Sequence, residues 1–208
     1  MKRLIYSLLV CALLLAGLLV LVGCSGPHVS VDPEWKEAPA RFTVLSTMPY
    51  ASNEDDVLDD FGSQDDFRQW FAGYLDTVLA ISSPVSHSVK IIDDGAVETA
   101  PMKLRDVLIK VPLPVVEKLE GVEGVVLVVH PVMFSRYISP CPGGGCLNNK
   151  HLNLHVAYSV VSVADGRILA YGIAATDDSY SFAMTRGNWE KVVERISWKL
   201  VEGTPLKN

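Results

Sequence analysis

Leu152-Asn-Leu-His-Val-Ala-Tyr-Ser-Val-Val-Ser-Val-Ala-Asp-Gly-Arg-Ile-Leu-Ala-Tyr-Gly-Ile-Ala-Ala-Thr176 holds the pattern on which the fold turns. From Leu152 to Val163 apolar and polar residues alternate, the period of a strand with one buried face. Asp165-Gly166 reads as a two-residue hairpin turn, whose backbone twist suits the strands on either side, and Ile168 to Thr176 returns as the partner strand. Even-numbered positions on the first strand are expected to face the core. With Asp165 and Gly166 as the turn, Ser162, Val160 and Tyr158 are expected opposite Leu169, Tyr171 and Ile173, which keeps the apolar set together.

Upstream, Val125 to Tyr137 is strand-like and Pro142-Gly-Gly-Gly145 turns the chain into the quoted stretch. Downstream, Trp189, Val192, Val193, Ile196 and Leu200 recur at helical spacing, with Gly203 as the stop. Between strand and helix, Tyr180, Phe182 and Met184 alternate with Ser179, Ser181 and Ala183. They either continue the strand or project from a loop as an apolar contact for a partner.

Toward the amino terminus, Arg41 to Ser46 reads as a first strand. Phe67, Trp70, Phe71, Tyr74, Leu75, Val78 and Leu79 mark a helix with one buried face, and Ser63 with Asp66 forms a capping box at its start. Val89 to Ile92 is a short strand closed by Asp93-Asp94-Gly95. Leu104, Val107 and Leu108 suggest a second helical stretch, followed by Pro112, Pro114 and a short helix ending near Gly121. The order β-α-β-α-β-β-β-α predicts an α+β fold, a mixed sheet of about five strands ending in a three-strand antiparallel meander with the helices on one face.

That order, over roughly Arg41 to Val201, and the hairpin Ser162-Val-Ala-Asp-Gly-Arg-Ile-Leu169 leading into a last helix, resemble the small α/β domain shared by curli-secretion lipoproteins and the amino-terminal domain of the Tol-system translocation protein. The resemblance implies a non-catalytic domain working in complexes at the cell envelope. It carries over no functional residue, and the loop between Cys141 and Cys146 departs from the pattern.

Lys2 and Arg3 precede an apolar run from Leu4 to Val22, and Leu21-Val22-Gly23-Cys24 puts a thiol where an ordinary secretory signal has its cleavage site. This ending resembles the lipobox of bacterial lipoproteins. The resemblance implies that residues 1–23 are a signal peptide, that Cys24 becomes the first residue and carries a diacylglycerol and a fatty acyl chain, and that no other cofactor is needed. Each buried methylene contributes about 0.8 kcal/mol, so two or three chains give lasting attachment to the membrane. An uncleaved transmembrane helix is the rival, because the run approaches the roughly 20 residues a bilayer requires. Residues 24–40, with Gly26, Pro27, Pro33 and Pro39, read as a flexible tether, and 41–208 as one periplasmic domain. Ser25 after the cysteine resembles the Gram-negative signal for the outer membrane.

The mature chain of 185 residues has the length of a single domain. Without Lys2 and Arg3 it keeps 16 basic residues against 24 acidic ones, a formal charge of −8 that repels phosphate backbones and excludes nucleic acid as a partner. The expected partners are the membrane, through the lipid, and an envelope protein or a second copy of the chain. Cys11 leaves with the signal, so Cys141 and Cys146 are the thiols left in an oxidising compartment and are expected to pair. If they close the loop, facing residues sum to 287 and Leu154 opposes Met133 while Val156 opposes Pro131. Proline has no amide to give the ladder, so a bulge or an edge is expected at Pro131. A redox or zinc site on these cysteines is the alternative, with His151 the nearest further ligand.

His151 and His155 lie four apart on the polar face of one strand, with His130 diagonal to His155 on its neighbour. Solvent-facing histidines are the ordinary reading and a metal-binding or hydrolytic site the sharper one. On an interface they would make binding sensitive to pH. Glu54, Asp55, Asp56, Asp59, Asp60, Asp65 and Asp66 form an acidic run suited to a helix amino terminus. As a calcium loop it lacks the alternating Asp-x-Asp-x-Asp-Gly order. No nucleophile elbow, His-Glu-x-x-His or phosphate loop occurs, and no catalytic residue is assigned.

Overall fold

The computed structural model describes residues 29–47, 60–139, 149–180 and 184–207. In chain order the elements are β1 (Val29–Val31), β2 (Arg41–Ser46), α1 (Gln64–Ser82), β3 (Ser86–Ile91), β4 (Val97–Leu104), β5 (Val107–Pro114), β6 (Val125–Ser139), β7 (Asn149–Ser162), β8 (Ile168–Tyr180) and α2 (Arg186–Val201). The fold is α+β. A six-stranded mixed sheet has the order β1-β8-β7-β6-β2-β3, and β4 with β5 forms a separate two-stranded sheet. Strands β3, β2 and β6 run parallel, and β6, β7 and β8 form the antiparallel meander.

The helices follow from their apolar spacing. On α1, Phe67, Phe71, Leu75, Val78 and Leu79 are buried, and on α2 Trp189, Val192, Val193, Ile196 and Leu200 are. Both faces enter one core with Leu152, Leu154, Val156, Tyr158 and Val160 of β7, the even positions of that strand. Fully enclosed Trp189 stands among Phe61, Phe67 and Phe134, with ring centroids 5.2 to 5.8 Å away, and its Nε1 donates to Asp60 Oδ2 at 2.8 Å. Ser63 caps α1 by accepting from the amide of Asp66 at 3.1 Å. Its hydroxyl also bonds Asp66 Oδ2 at 2.6 Å, so the carboxylate meets the serine hydroxyl and the expected box is formed by half, as a serine cap. Gly203, at φ +73, follows α2 in the left-handed conformation that a helix stop requires.

A second core lies on the other sheet face, where Leu45, Val126, Val128 and Val161 meet Leu119 and Val122 with Val97 and Leu113 of the β4–β5 hairpin. This corrects the helix expected at Leu104, Val107 and Leu108: Leu104 pairs with Val107 across a two-residue turn. Their helix-like spacing bridges the turn by coincidence, while Val97, Thr99, Ile109 and Val111 carry the β-branched signal of strands. The short helix expected before Gly121 is a single 3₁₀ turn, Val116–Lys118.

The tether expected over 24–40 is also corrected. Val29–Val31 pairs antiparallel with Ala170–Gly172, Trp35 packs against the helix-side core, and Arg167 Nε donates to Asp32 Oδ2 at 2.7 Å. Residues 29–40 thus belong to the fold, and residues 24–28 of the expected tether lie outside the described residues.

Two register expectations shift by one residue. Val156 does face Pro131, but beyond it the ladder slips, so that Met133 faces His155 and Leu154 faces Phe134. The slip sits at the expected proline, with Val132 as the extra, exposed residue. In the next hairpin Val160 faces Ala170 and Tyr158 faces Gly172, with a bulge between Val160 and Val161. The turn is longer than Asp165-Gly166 alone: the amide of Ser162 donates to Arg167 O at 2.9 Å, which leaves four residues in the loop.

Candidate functional site

The hairpin β4–β5 covers only part of the second sheet face. Under it, Val126, Val128, Ser159 and Val161 are buried, and the Ser159 hydroxyl donates to Pro112 O. Past the bulge at Val132 the same face is open. Its rungs are Met133, His155 and Ala175, then Ser135, Asn153 and Asp177, then Tyr137, His151 and Ser179, and none of these is buried. Tyr137 is 45% exposed and stacks on His151 with ring centroids 4.6 Å apart and planes 8° from parallel. Nδ1 of His151 lies 3.9 Å from Asp177 Oδ2, beyond hydrogen-bond range, and has no hydrogen-bond partner among the described residues.

The three histidines singled out in the sequence therefore divide. His151 and His155 share the open face but stand four strand residues apart, about 13 Å at the usual rise. His130 lies across the bulge opposite Ala157, where its Nδ1 shares a hydrogen bond of 2.6 Å with the Thr47 hydroxyl. Burial holds the imidazole of His130 below its ordinary range, against a smaller upward pull from Asp94. His155 is held low by burial and, to a lesser degree, by Lys199. Among the described residues no group of three His, Cys, Asp or Glu side chains could hold a metal ion.

The apolar trio is drawn inward where it is described. Tyr180 ends β8 and, with Met184, is partly buried against the helix-side core, so neither projects freely from a loop. Phe182 lies outside the described residues. So do Cys24, the pair Cys141 and Cys146, and Glu54 to Asp59 of the acidic run. No described helix is long and apolar enough to cross a membrane.

Sequence reading missed a recess of about 740 Å³ beside the carboxyl end of β3, lined among others by Arg68, Asp65, Asp93 and Lys118. It lies where the carboxyl end of β3 meets the first turns of α1, the end of a parallel strand pair at which crevices commonly open. Arg68 donates to Ile92 O and lies 3.6 Å from Asp93, while Lys118 Nζ donates to Gly95 O at 2.6 Å. The Lys118 ammonium and one terminal nitrogen of Arg68 are thus taken up by the wall of the recess, while Arg68 Nε is buried with no hydrogen-bond partner among the described residues. The turn signal at Asp93-Asp94-Gly95 was its one trace in the sequence.

No family model matches the chain, and among curated proteins none matches it either. Among solved structures it is similar to PelC of Paraburkholderia phytofirmans, solved as a dodecamer, at 10% identity and a TM-score of 0.44 over 86% of this chain and 98% of that one. A minor lipoprotein of Acinetobacter baumannii is similar at 10% identity and a TM-score of 0.37, covering 78% and 90%. A protein of Xanthomonas campestris is similar at 12% identity and a TM-score of 0.42, covering 85% and 90%. At these scores the likeness says nothing about what this chain binds or does.

Proposed function

We propose that the chain is a bacterial lipoprotein, held by acyl chains on Cys24 at the periplasmic side of the outer membrane, whose domain is a non-catalytic docking module for an envelope protein. The observation that carries the reading is the run from Leu4 to Val22 ending in Leu21-Val22-Gly23-Cys24. The docking surface is the open part of the sheet face, from Met133 to Tyr137 on β6 and from His151 to His155 on β7. It offers aromatic, amide and imidazole groups in ladder register, the mixed chemistry of a protein contact. Cys141 and Cys146 close the β6–β7 loop as a disulfide. The kinship with the curli-secretion and Tol-domain group rests on the hairpin from Ser162 to Leu169 leading into the last helix, since the hairpin at Leu104 to Val107 departs from the expected element order.

A photo-crosslinking amino acid in place of Tyr137, activated in intact cells, tests the docking face. One discrete adduct, either a second protein or a second copy of this chain, is the expected result. Monomer alone at Tyr137, with the chain correctly anchored, overturns the docking function and leaves the anchor standing.

A further inference from the structure

Among the described residues, the end of the β4–β5 hairpin is the least covered apolar feature outside the helices. Val107 is 63% exposed and Leu108 71%. They follow a two-residue turn in which Arg105 takes φ +57, and Arg105 is the one described non-glycine residue with positive φ. Glycine or asparagine would adopt that conformation with less strain, yet the turn presents a guanidinium. Lys103 precedes it and Lys110 follows, against Asp106, which lies 3.8 Å from Lys103 Nζ, and Glu98 further down β4. On a mature chain of formal charge −8, this apex is locally basic.

Its position is set by two hydrogen bonds. The hairpin crosses β7 where Ser159 donates to Pro112 O and reaches β8 where the Tyr171 hydroxyl donates to Lys103 O at 2.8 Å. Tyr171 is in turn the ladder partner of Ser30 on β1. The hairpin therefore runs across the sheet to β8, the strand on which β1 forms the edge, and Val29 on that edge is five residues from Cys24. Five residues span at most about 18 Å. Lipid chains on Cys24 keep the β1 edge, and with it the hairpin tip, close to the headgroups.

We propose that the tip of the β4–β5 hairpin is a second membrane contact, with Val107 and Leu108 bedded in the interface of an anionic bilayer and Lys103, Arg105 and Lys110 among its phosphates. This rests on the lipid-anchor reading. Long cationic side chains keep their stems along apolar surface and their heads in the headgroup layer, and an anionic surface attracts basic segments within a Debye length. The remaining acidic surface is repelled, so the two contacts together choose which way the domain faces.

The acylated full chain is reconstituted in phosphatidylethanolamine vesicles holding about one-quarter phosphatidylglycerol, beside a Val107→Ser, Leu108→Ser chain, and both are followed by hydrogen exchange. Both chains are expected to float with the vesicles and to exchange alike over residues 152–160, which shows the variant folded. The wild-type peptide spanning 103–110 is expected to exchange about tenfold more slowly than the variant's, and the gap to narrow in vesicles without phosphatidylglycerol. Equal exchange over 103–110 with both chains floating overturns the tip contact alone. Protection that follows protein density in the vesicle and not phosphatidylglycerol assigns the tip to another copy and overturns it too. Chains that do not float at all refute the anchor, and the tip contact falls with it.

Discussion

Asp178 is a carboxylate only 8% exposed at the junction of β8 and α2. It accepts from Asn188 Nδ2 at 2.9 Å and has Arg195 at 3.4 Å and Lys191 at 4.0 Å. Asn188 also completes the capping box of α2 with Thr185. Replacing Asp178 by alanine strips the amide of its acceptor while the two half-exposed cations return to water, so the cost expected is about 1 to 3 kcal/mol in urea unfolding. His130 and His155 carry a pH signature. Both are held below the ordinary imidazole value of 6.5, so near that pH the folded chain binds fewer protons than the unfolded one. The stability they contribute is fully present above that value and is lost as the pH falls from it through their lower folded-state values. The unfolding midpoint is expected to drop between about pH 7.5 and about pH 5.5, and His130→Gln to flatten the drop.

At the scale of elements, β1 depends on Asp32. The carboxylate is held below its usual range first by the amide of Glu34 and then by Arg167. Asp32→Asn is expected to speed hydrogen exchange at Val29 to Val31 while leaving β7 protected, and acidification through the carboxylate range should do the same to the wild type. This strand also marks where sequence reading stops. α1, α2 and the meander were legible because each carries a period of its own over a dozen residues or more. Val29-Ser-Val31 is too short to have one, and becomes a strand because β8 offers an open edge, a partner over 130 residues away. The bulge at Pro131 was legible because proline lacks an amide. The one at Leu169 was not, since nothing in that residue shows that both it and Ala170 turn to the helix side. For the open face, the residues were legible but their grouping was not: a slip of one position at Val132 decides that His155 meets Met133.

For the whole molecule, the proposed anchor and the proposed loop disulfide are tested separately. Cys24→Ala is expected to abolish acylation, leave the signal uncleaved by the lipoprotein route and change how the chain is held in the membrane, all read by mass and by fractionation. Mature protein purified without reductant should show no alkylatable thiol at Cys141 or Cys146, and reduction should lower stability by about 2 kcal/mol, the size expected for so short a loop. A free thiol pair would remove the disulfide without touching the anchor.

The pairing of β1 on β8 has a mechanical consequence. Where Cys24 carries the proposed anchor, a tug between the bilayer and a partner reaches the described domain at Val29, and the first described structure it meets is three strand residues and the clamp of Asp32 on Arg167. That edge can peel while the helix-side core remains whole. Under tension the span of β1 would be released, letting the domain reach outward before anything essential to its folding gives way.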